Sequence, residues 1–505
     1  MKEIVLVGIN SRYTHTSLGL RYLYANLHEL QANAVIQEYV IKSDPSTIAE
    51  KILAQNPKIV GIGVYIWNAT DVHDLVEILH KIAPEVTIVL GGPEVSHKPF
   101  RINWQYADYI IQGEGEVSFY QLCKDILNHT PPKEKIIPAL LPQLKEINLP
   151  YKYYNDHDIG FRYIYVEASR GCPFECEFCL SAIDERVRGF DMDKLLEEFE
   201  TLWQKGARNF KFIDRTFNLN IKLANQLMDF FLAKTEPYTL HFEVIPDNFP
   251  ERLKERIKLF PKGSLQLEIG IQTLNPQILA NINRRMDLEK VKENITFLEH
   301  QTHAHLHLDL IIGLPGESVE SFADNLNRLK EMSNSEIQIG ILKKLSGTTL
   351  DRHDQKYHMI YSDKPPYEIL QNDFISFAKL QKLKRFSRFW DLTYNSGNFY
   401  QTINYLWKEK TVYDGFYAFS EWIYTQTEST FQISLMRLSE LLFRYLTEVL
   451  HYDKTMIADS MIEDIIKIEG RKIPGILQQH ASHIPNLKRV YMQKHQKRQI
   501  LRSTS

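Results

Sequence analysis

Three cysteines stand within eight residues of one another. The segment Ser169 to Leu180 reads SRGCPFECEFCL, so Cys172, Cys176 and Cys179 follow a C-x3-C-x2-C spacing with Phe178 directly before the last thiol. Three thiolates on one short loop can hold three irons of a cubane cluster and leave the fourth iron open to a ligand that is not protein. A structural zinc site would ask for four protein ligands, and the local sequence offers no histidine as a fourth. The other readings of the triad are three free thiols or a three-cysteine zinc knuckle. The remaining cysteine, Cys123, sits in YQLCKDIL on the apolar stripe of a helix and reads as core. With it set aside, no second all-cysteine cluster can be built.

Polar residues recur at the ends of predicted strands. Asp214 lies in FIDRTFN, Glu243 in FEVIP, Glu268 and Gln272 in EIGIQT, and Ile312 and Gly313 in DLIIGLPGE. Each alone equally reads as a helix cap or a turn; their order, one group per strand end, is what carries information. Glycine in the last of these lets backbone approach a flat ligand. His303, His305 and His307 alternate toward one strand and share a face, either as a three-histidine metal site or as a solvent or lumen face. The aromatic stretch Phe386–Phe399 reads as helical core or as the wall of a pocket.

The elements that position these groups follow from hydrophobic periodicity. The first ~145 residues alternate short β-branched runs with amphipathic stretches, as in a parallel, doubly wound sheet of five strands. Proline-rich residues 131–158 read as a linker. From Arg162 six strand–helix repeats follow, with strands expected at Tyr163–Ala168, Asn209–Ile213, Thr239–Val244, Leu265–Ile271, Leu306–Ile312 and Ile337–Leu342. Six repeats are too few for a closed eight-fold barrel and suit an incomplete (β/α)6 barrel of TIM type. Residues 366–505 read as mainly α-helical, ending in a stretch, Leu487–Arg502, with six Lys or Arg. The expected division is thus 1–130, linker 131–158, 159–350 and 366–505.

The whole chain has 505 residues, 44% hydrophobic and 24% charged, with a formal net charge of -3. This excludes a largely disordered chain and gives no global basic excess calling for nucleic acid or anionic membrane. No apolar run approaches a membrane span and no signal peptide opens the chain, so a cytoplasmic protein without membrane attachment is expected. Clustered cysteines argue against a secreted disulfide scaffold.

Together these residues resemble the radical S-adenosylmethionine superfamily, in the subclass with a cobalamin-binding-like flavodoxin-type (Rossmann) domain ahead of the barrel. The resemblance implies a 4Fe–4S cluster on Cys172, Cys176 and Cys179, chelation of S-adenosylmethionine at the open iron, and its reductive cleavage to methionine and a 5′-deoxyadenosyl radical. It implies that Phe178, Asp214, Glu243, Glu268, Gln272, Ile312 and Gly313 contact S-adenosylmethionine. Asp214 stands where the family reads the methionyl amino group, although the common Gly-Gly-Glu is lacking there. The turns GGPE (Gly91, Gly92, Glu94) and GEGE (Gly113, Glu114) look like the cobalamin subclass. With the first-strand loop and the Gly63–Tyr65 turn, they would place cobalamin against Asn10, Tyr13, His15, Ser17, Gly63, Tyr65, Gly91, Gly92, Glu94, Gly113 and Glu114.

One departure stands out. The Asp-x-His-x-x-Gly motif that supplies a cobalt-ligating histidine in many such domains is missing after the first strand, and Asp71-Val-His73 mimics it only at the start of a later helix. The resemblance implies cobalamin-dependent methyl transfer to an unactivated carbon, with a flavodoxin- or ferredoxin-type electron donor. The alternatives are a cobalamin-free radical enzyme acting on RNA or a cofactor precursor, and a non-catalytic corrinoid- or metal-binding protein. The small-molecule or RNA substrate is not readable.

Overall fold

The computed structural model describes residues 1–468 and 471–485. The basic stretch Leu487–Arg502 lies outside them. The described chain forms two compact units, one made of residues 1–243, 343–352 and 361–368, the other of residues 244–342, 353–360 and 369–485.

The first unit begins with a parallel sheet. Its strands are β1 (Ile4–Asn10), β2 (Ala34–Val40), β3 (Ile59–Gly63), β4 (Thr87–Gly91), β5 (Tyr109–Gln112) and β6 (Ile136–Pro138), in the order β2-β1-β3-β4-β5-β6. β1 is buried along its whole length and reads as a continuous apolar run, as expected when helices cover both faces. Val5, Val7 and Ile9 pack with the helices Pro45–Leu53 and Ala69–Ile82, while Ile4 and Leu6 pack with Leu20, Phe119 and Leu122 on the opposite side. The sixth strand corrects the five expected: Ile136–Pro138 pairs in parallel with β5 inside what reads as linker. Proline tolerates that place because an edge strand needs no donor on its open side. The rest of residues 131–158 is also ordered, with a capping box at Asn155 and Asp158 opening the helix Asp156–Phe161. The helix Leu18–Ala25 is followed by a tighter 3-10 turn, His28–Asn33.

Later in the same unit come β7 (Ile164–Val166), the short β8 (Ser169–Arg170) and β9 (Arg188–Gly189), β10 (Asn209–Phe212) and β11 (Thr239–Val244). β10 lies between β7 and β11, all parallel. β8 and β9 pair antiparallel and close the cysteine loop at its base.

The second unit contains β12 (Leu265–Gln272), β13 (His305–Ile312) and β14 (Glu336–Ile341), again parallel and sequential. Leu306, Leu308, Leu310 and Ile312 face the packed side of β13, and the residues between them face the half-buried side. The helix Phe377–Trp390 and the π-helical turn Asp391–Asn395 follow. Here the aromatic stretch resolves as core: Phe386, Phe389, Trp390 and Phe399 are fully buried. It also covers the backbone of β14. Asn395 Oδ1 accepts from Ile337 N at 3.0 Å and its Nδ2 donates to Ile337 O at 2.9 Å, while Trp390 Nε1 donates to the same carbonyl at 3.0 Å. A side-chain amide thus takes the place of a neighbouring strand. Among the described residues no helix is long and apolar enough to cross a membrane.

Candidate active site

The cysteine loop leaves β8 through Gly171. That residue has φ +89°, and a Cβ there would collide with the backbone carbonyl of Arg186, so only glycine lets the two arms of the loop close. Cys172 N donates to Asp184 O at 2.9 Å and Cys179 N to Cys176 O at 3.0 Å. Cys172 and Cys176 are buried and Cys179 is half-buried. Phe178 is half-buried between the second and third. Cys123 lies at 0% exposure in the apolar core of the first sheet, where burial pushes its thiol far up, so it is no ligand to this loop. The donor set is therefore three thiols on one short loop, which fits a cubane with one open iron.

Charged groups hold this loop on both sides. Arg170, two residues before Cys172, donates to Glu114 Oε2 at 2.7 Å, Glu116 Oε1 at 2.7 Å and Glu167 Oε1 at 2.8 Å. Arg188, after the loop, donates to Asp184 Oδ2 at 3.1 Å and pairs closely with Glu114. Arg352 pairs with Glu177, which is buried within the cysteine motif itself.

Asp214 is fully buried, and its carboxylate accepts from Ala168 N at 2.9 Å and Ser169 Oγ at 2.6 Å. Burial pushes its carboxyl up to about 7 against those hydrogen bonds. It positions the chain that enters the cysteine loop. Glu243 accepts from Arg215 Nη1 at 2.8 Å and its carbonyl from Phe217 N at 3.1 Å, tying the FIDRTFN segment to β11. The remaining predicted S-adenosylmethionine contacts lie in the second unit. Glu268 and Gln272 share the half-buried face of β12, whose register shifts between Gly270 and Gln272, and Gln272 takes φ +69°. Ile312 is buried at the end of β13, and Gly313 turns there with φ +89°.

The Gly63, Tyr65, Gly91, Gly92, Gly113 and Glu114 group converges on one cavity of about 290 Å³ over the C-terminal ends of β3 and β4. Glycine shapes this space: a Cβ on Gly61 would press on the Phe119 ring at 2.8 Å, and one on Gly92 (φ +105°) would meet Val64 O at 2.6 Å. Asn68, which sequence reasoning missed, stitches the crevice by donating to Ile9 O and Gly63 O, each at 3.0 Å. Arg170, Glu116 and Glu167 line the same cavity, and Glu116 Oε2 has no hydrogen-bond partner. A small, largely apolar slot with one unused acceptor fits a planar ring system carrying amide donors, such as part of a corrinoid.

Asn10, Tyr13, His15, Ser17 and Glu94 are spent elsewhere. Asn10 Nδ2 donates to Glu38 Oε1 at 3.1 Å and Ser17 N to the same oxygen at 2.5 Å, within a buried network in which Arg21 joins Glu38 and Asp158 at 2.8 Å each. Tyr13 meets His157 at 2.5 Å and His15 meets Tyr165, so the first loop binds β7 and the helix ahead of it and leaves the cavity. Burial, with Lys211 and Arg12 nearby, lowers the His15 pKa. Glu94 holds the Tyr367 hydroxyl. None of these five lines the cavity, because each already satisfies a nearer buried partner. The three histidines also divide: His305 and His307 gather on Glu336, while His303 is exposed before β13.

Residues 4–122 match the B12 binding domain family and residues 166–329 the radical SAM superfamily. The chain carries a B12-binding domain and a radical SAM domain. Residues 355–504 match a third family, a protein of unknown function (DUF4080). The B12-binding and radical SAM domains together are homologous to cobalamin-dependent radical SAM methyltransferases. An uncharacterized methyltransferase of Pyrococcus horikoshii is 28% identical over 67% of this chain and 78% of its own length. The cobalamin-dependent radical SAM methyltransferase TokK of Streptomyces tokunonensis is 26% identical over 70% of this chain, and the match spans 57% of TokK. Among solved structures, the cobalamin-dependent S-adenosylmethionine radical enzyme OxsB superposes with a TM-score of 0.59 over 92% of this chain and 80% of its own, at 14% identity. TsrM of Kitasatospora setae gives 0.57 over 72% and 78% of the two chains, at 15% identity. These two likenesses establish the shared fold.

Proposed function

We propose that this protein is a radical S-adenosylmethionine enzyme that transfers a methyl group, by way of cobalamin, to an unactivated carbon. Bound in their sites, the cluster would supply the electron that splits S-adenosylmethionine into methionine and a 5′-deoxyadenosyl radical, and the corrinoid would carry the methyl group. The chain's own residues do the rest. Cys172, Cys176 and Cys179 hold three irons. Asp214 fixes the strand end that presents them. Gly61, Gly92 and Phe119 shape the slot for the corrinoid, and Glu116 Oε2 offers it an acceptor. Glu268, Gln272 and Gly313 are read as S-adenosylmethionine contacts, with β7, β10, β11, β12, β13 and β14 taken as one incomplete (β/α)6 barrel. The division 1–130, 159–350 and 366–505 is kept as the domain reading, and a flavodoxin- or ferredoxin-type protein as electron donor.

The observation that carries this reading is Arg170. It stands two residues before the first cysteine, lines the cavity, and grips the GEGE turn through Glu114 and Glu116. Cluster loop and cavity are therefore built on one shared side chain.

The test is iron, cobalt and 5′-deoxyadenosine on protein made anaerobically with cobalamin supplied. The expected outcome is about four irons and one cobalt per chain, with 5′-deoxyadenosine formed on addition of reductant and S-adenosylmethionine. Cys176→Ala should lose the cluster and the cleavage, whereas Cys123→Ser should keep its iron. Full iron without cobalt would favour the cobalamin-free reading. That reading draws on one feature: no histidine lines the cavity among the described residues.

A further inference from the structure

His305, His307 and Glu336 form a compact polar cluster within the second unit. His305 and His307 lie two apart at the start of β13, and His307 stands in register with Glu336, the first residue of β14. His305 Nε2 is 3.0 Å from Glu336 Oε1 and His307 Nε2 is 3.2 Å from Glu336 Oε2. All the prospective ligand atoms fall within 4.8 Å of one another. A tetrahedral ion with metal–ligand bonds of 2.0–2.1 Å sets its ligands about 3.3 Å apart; each histidine already stands near that distance from the carboxylate, and an ion would draw together a set that now lies within 4.8 Å. The Gln266 side-chain amide nitrogen lies 3.3 Å from His307 Nδ1 and 3.4 Å from its Nε2, beside the ring.

We infer that His305, His307 and Glu336 bind one divalent transition ion of zinc type, with the fourth position left to water. Borderline nitrogen ligands with one carboxylate select such an ion over calcium or magnesium. The site lies at the N-terminal ends of β13 and β14. Gly313 lies at the opposite end of β13, about 20 Å away at the rise of an extended strand. In parallel α/β barrels the N-terminal end serves stability and the C-terminal end serves chemistry. The ion would thus tie β14 to β13 away from that chemistry, with water completing its coordination.

The experiment is equilibrium dialysis of the full-length, cluster-reconstituted protein against zinc, followed by zinc and iron analysis. Wild type should retain about one zinc per chain beyond its iron. His307→Ala should lose it at unchanged iron. The triple Cys172→Ala, Cys176→Ala, Cys179→Ala variant should still take up one zinc, which separates this site from the cysteine loop and from the proposed activity. Glu336→Gln, nearly isosteric, guards against misfolding: circular dichroism like wild type with zinc lost supports the site. No zinc retained by wild type, or equal zinc in wild type and His307→Ala, would show a plain hydrogen-bonded His–Glu cluster and overturn the proposal.

Discussion

Glu317 sits where β13 has just turned through Gly313, and its Oε1 accepts from Asn325 Nδ2 at 3.2 Å while Oε2 has no partner. Burial pushes this carboxyl up to about 8 from an ordinary 4.5, against hydrogen bonds from the Gly313 and Leu314 backbone. A carboxyl that is protonated when folded and ionised when unfolded favours the folded state most below pH 4.5. That contribution is lost progressively as pH rises to about 8. Glu317→Gln should therefore flatten the fall of thermal stability across this window, and the difference between the two proteins should be largest at its upper end. An identical pH profile for both would show that Glu317 is ionised in the fold. At this scale the sequence was partly legible. The three cysteines announced themselves by spacing, because a loop ligand set is local. Asp214 was found by position but not by partner, since Ala168 and Ser169 lie 46 and 45 residues away. Asn10, Ser17 and Glu94 looked like ligand contacts because nothing local reveals that Glu38 and Tyr367 occupy them.

Elements fold around two devices that no periodicity shows. The first is the Arg170 clamp, in which one buried guanidinium faces Glu114, Glu116 and Glu167. Arg170→Ala strands these carboxylates and should cost about 3–5 kcal/mol, the usual penalty for breaking a buried ion pair. It should also lower retained cobalt and iron together. Loss of one metal alone would separate the loop from the cavity. The second is the Asn395 amide on β14. Asn395→Ala leaves the Ile337 backbone groups short of their partners and should destabilise by about 1–3 kcal/mol, read as a lower thermal midpoint. Helices such as Met192–Gln204 and Ile221–Leu232, between the expected strands, carry amphipathic periods bounded by caps at Asp191 and Asn220. β6 was not legible, since a three-residue edge strand ending in proline carries no period.

Across the whole molecule, the cysteine loop is held by residues far apart in the chain: Glu114 before it and Arg352 after it. Arg352→Gln should leave freshly reconstituted iron unchanged but speed its loss to a chelator, because only the later hold on Glu177 is removed. Unchanged release would make that pair ornamental. The α/β alternation, the order of domains and the helical C-terminal region were all legible, since each rests on repeating patterns tens of residues long. What the C-terminal region is for was not legible: its contacts with β14 pair single side chains across 53 and 58 residues.

The same bracketing gives the protein a calendar. A ribosome delivers Glu114 and Glu116 before the cysteines, so the early half of the grip is waiting when the loop emerges. Arg352 arrives only after another 173 residues beyond Cys179 have been made. At about 5–20 residues per second, the nascent loop spends on the order of ten to thirty seconds with only its earlier partners made. The full set of side chains that holds the cysteines is complete only once Arg352 has been synthesised.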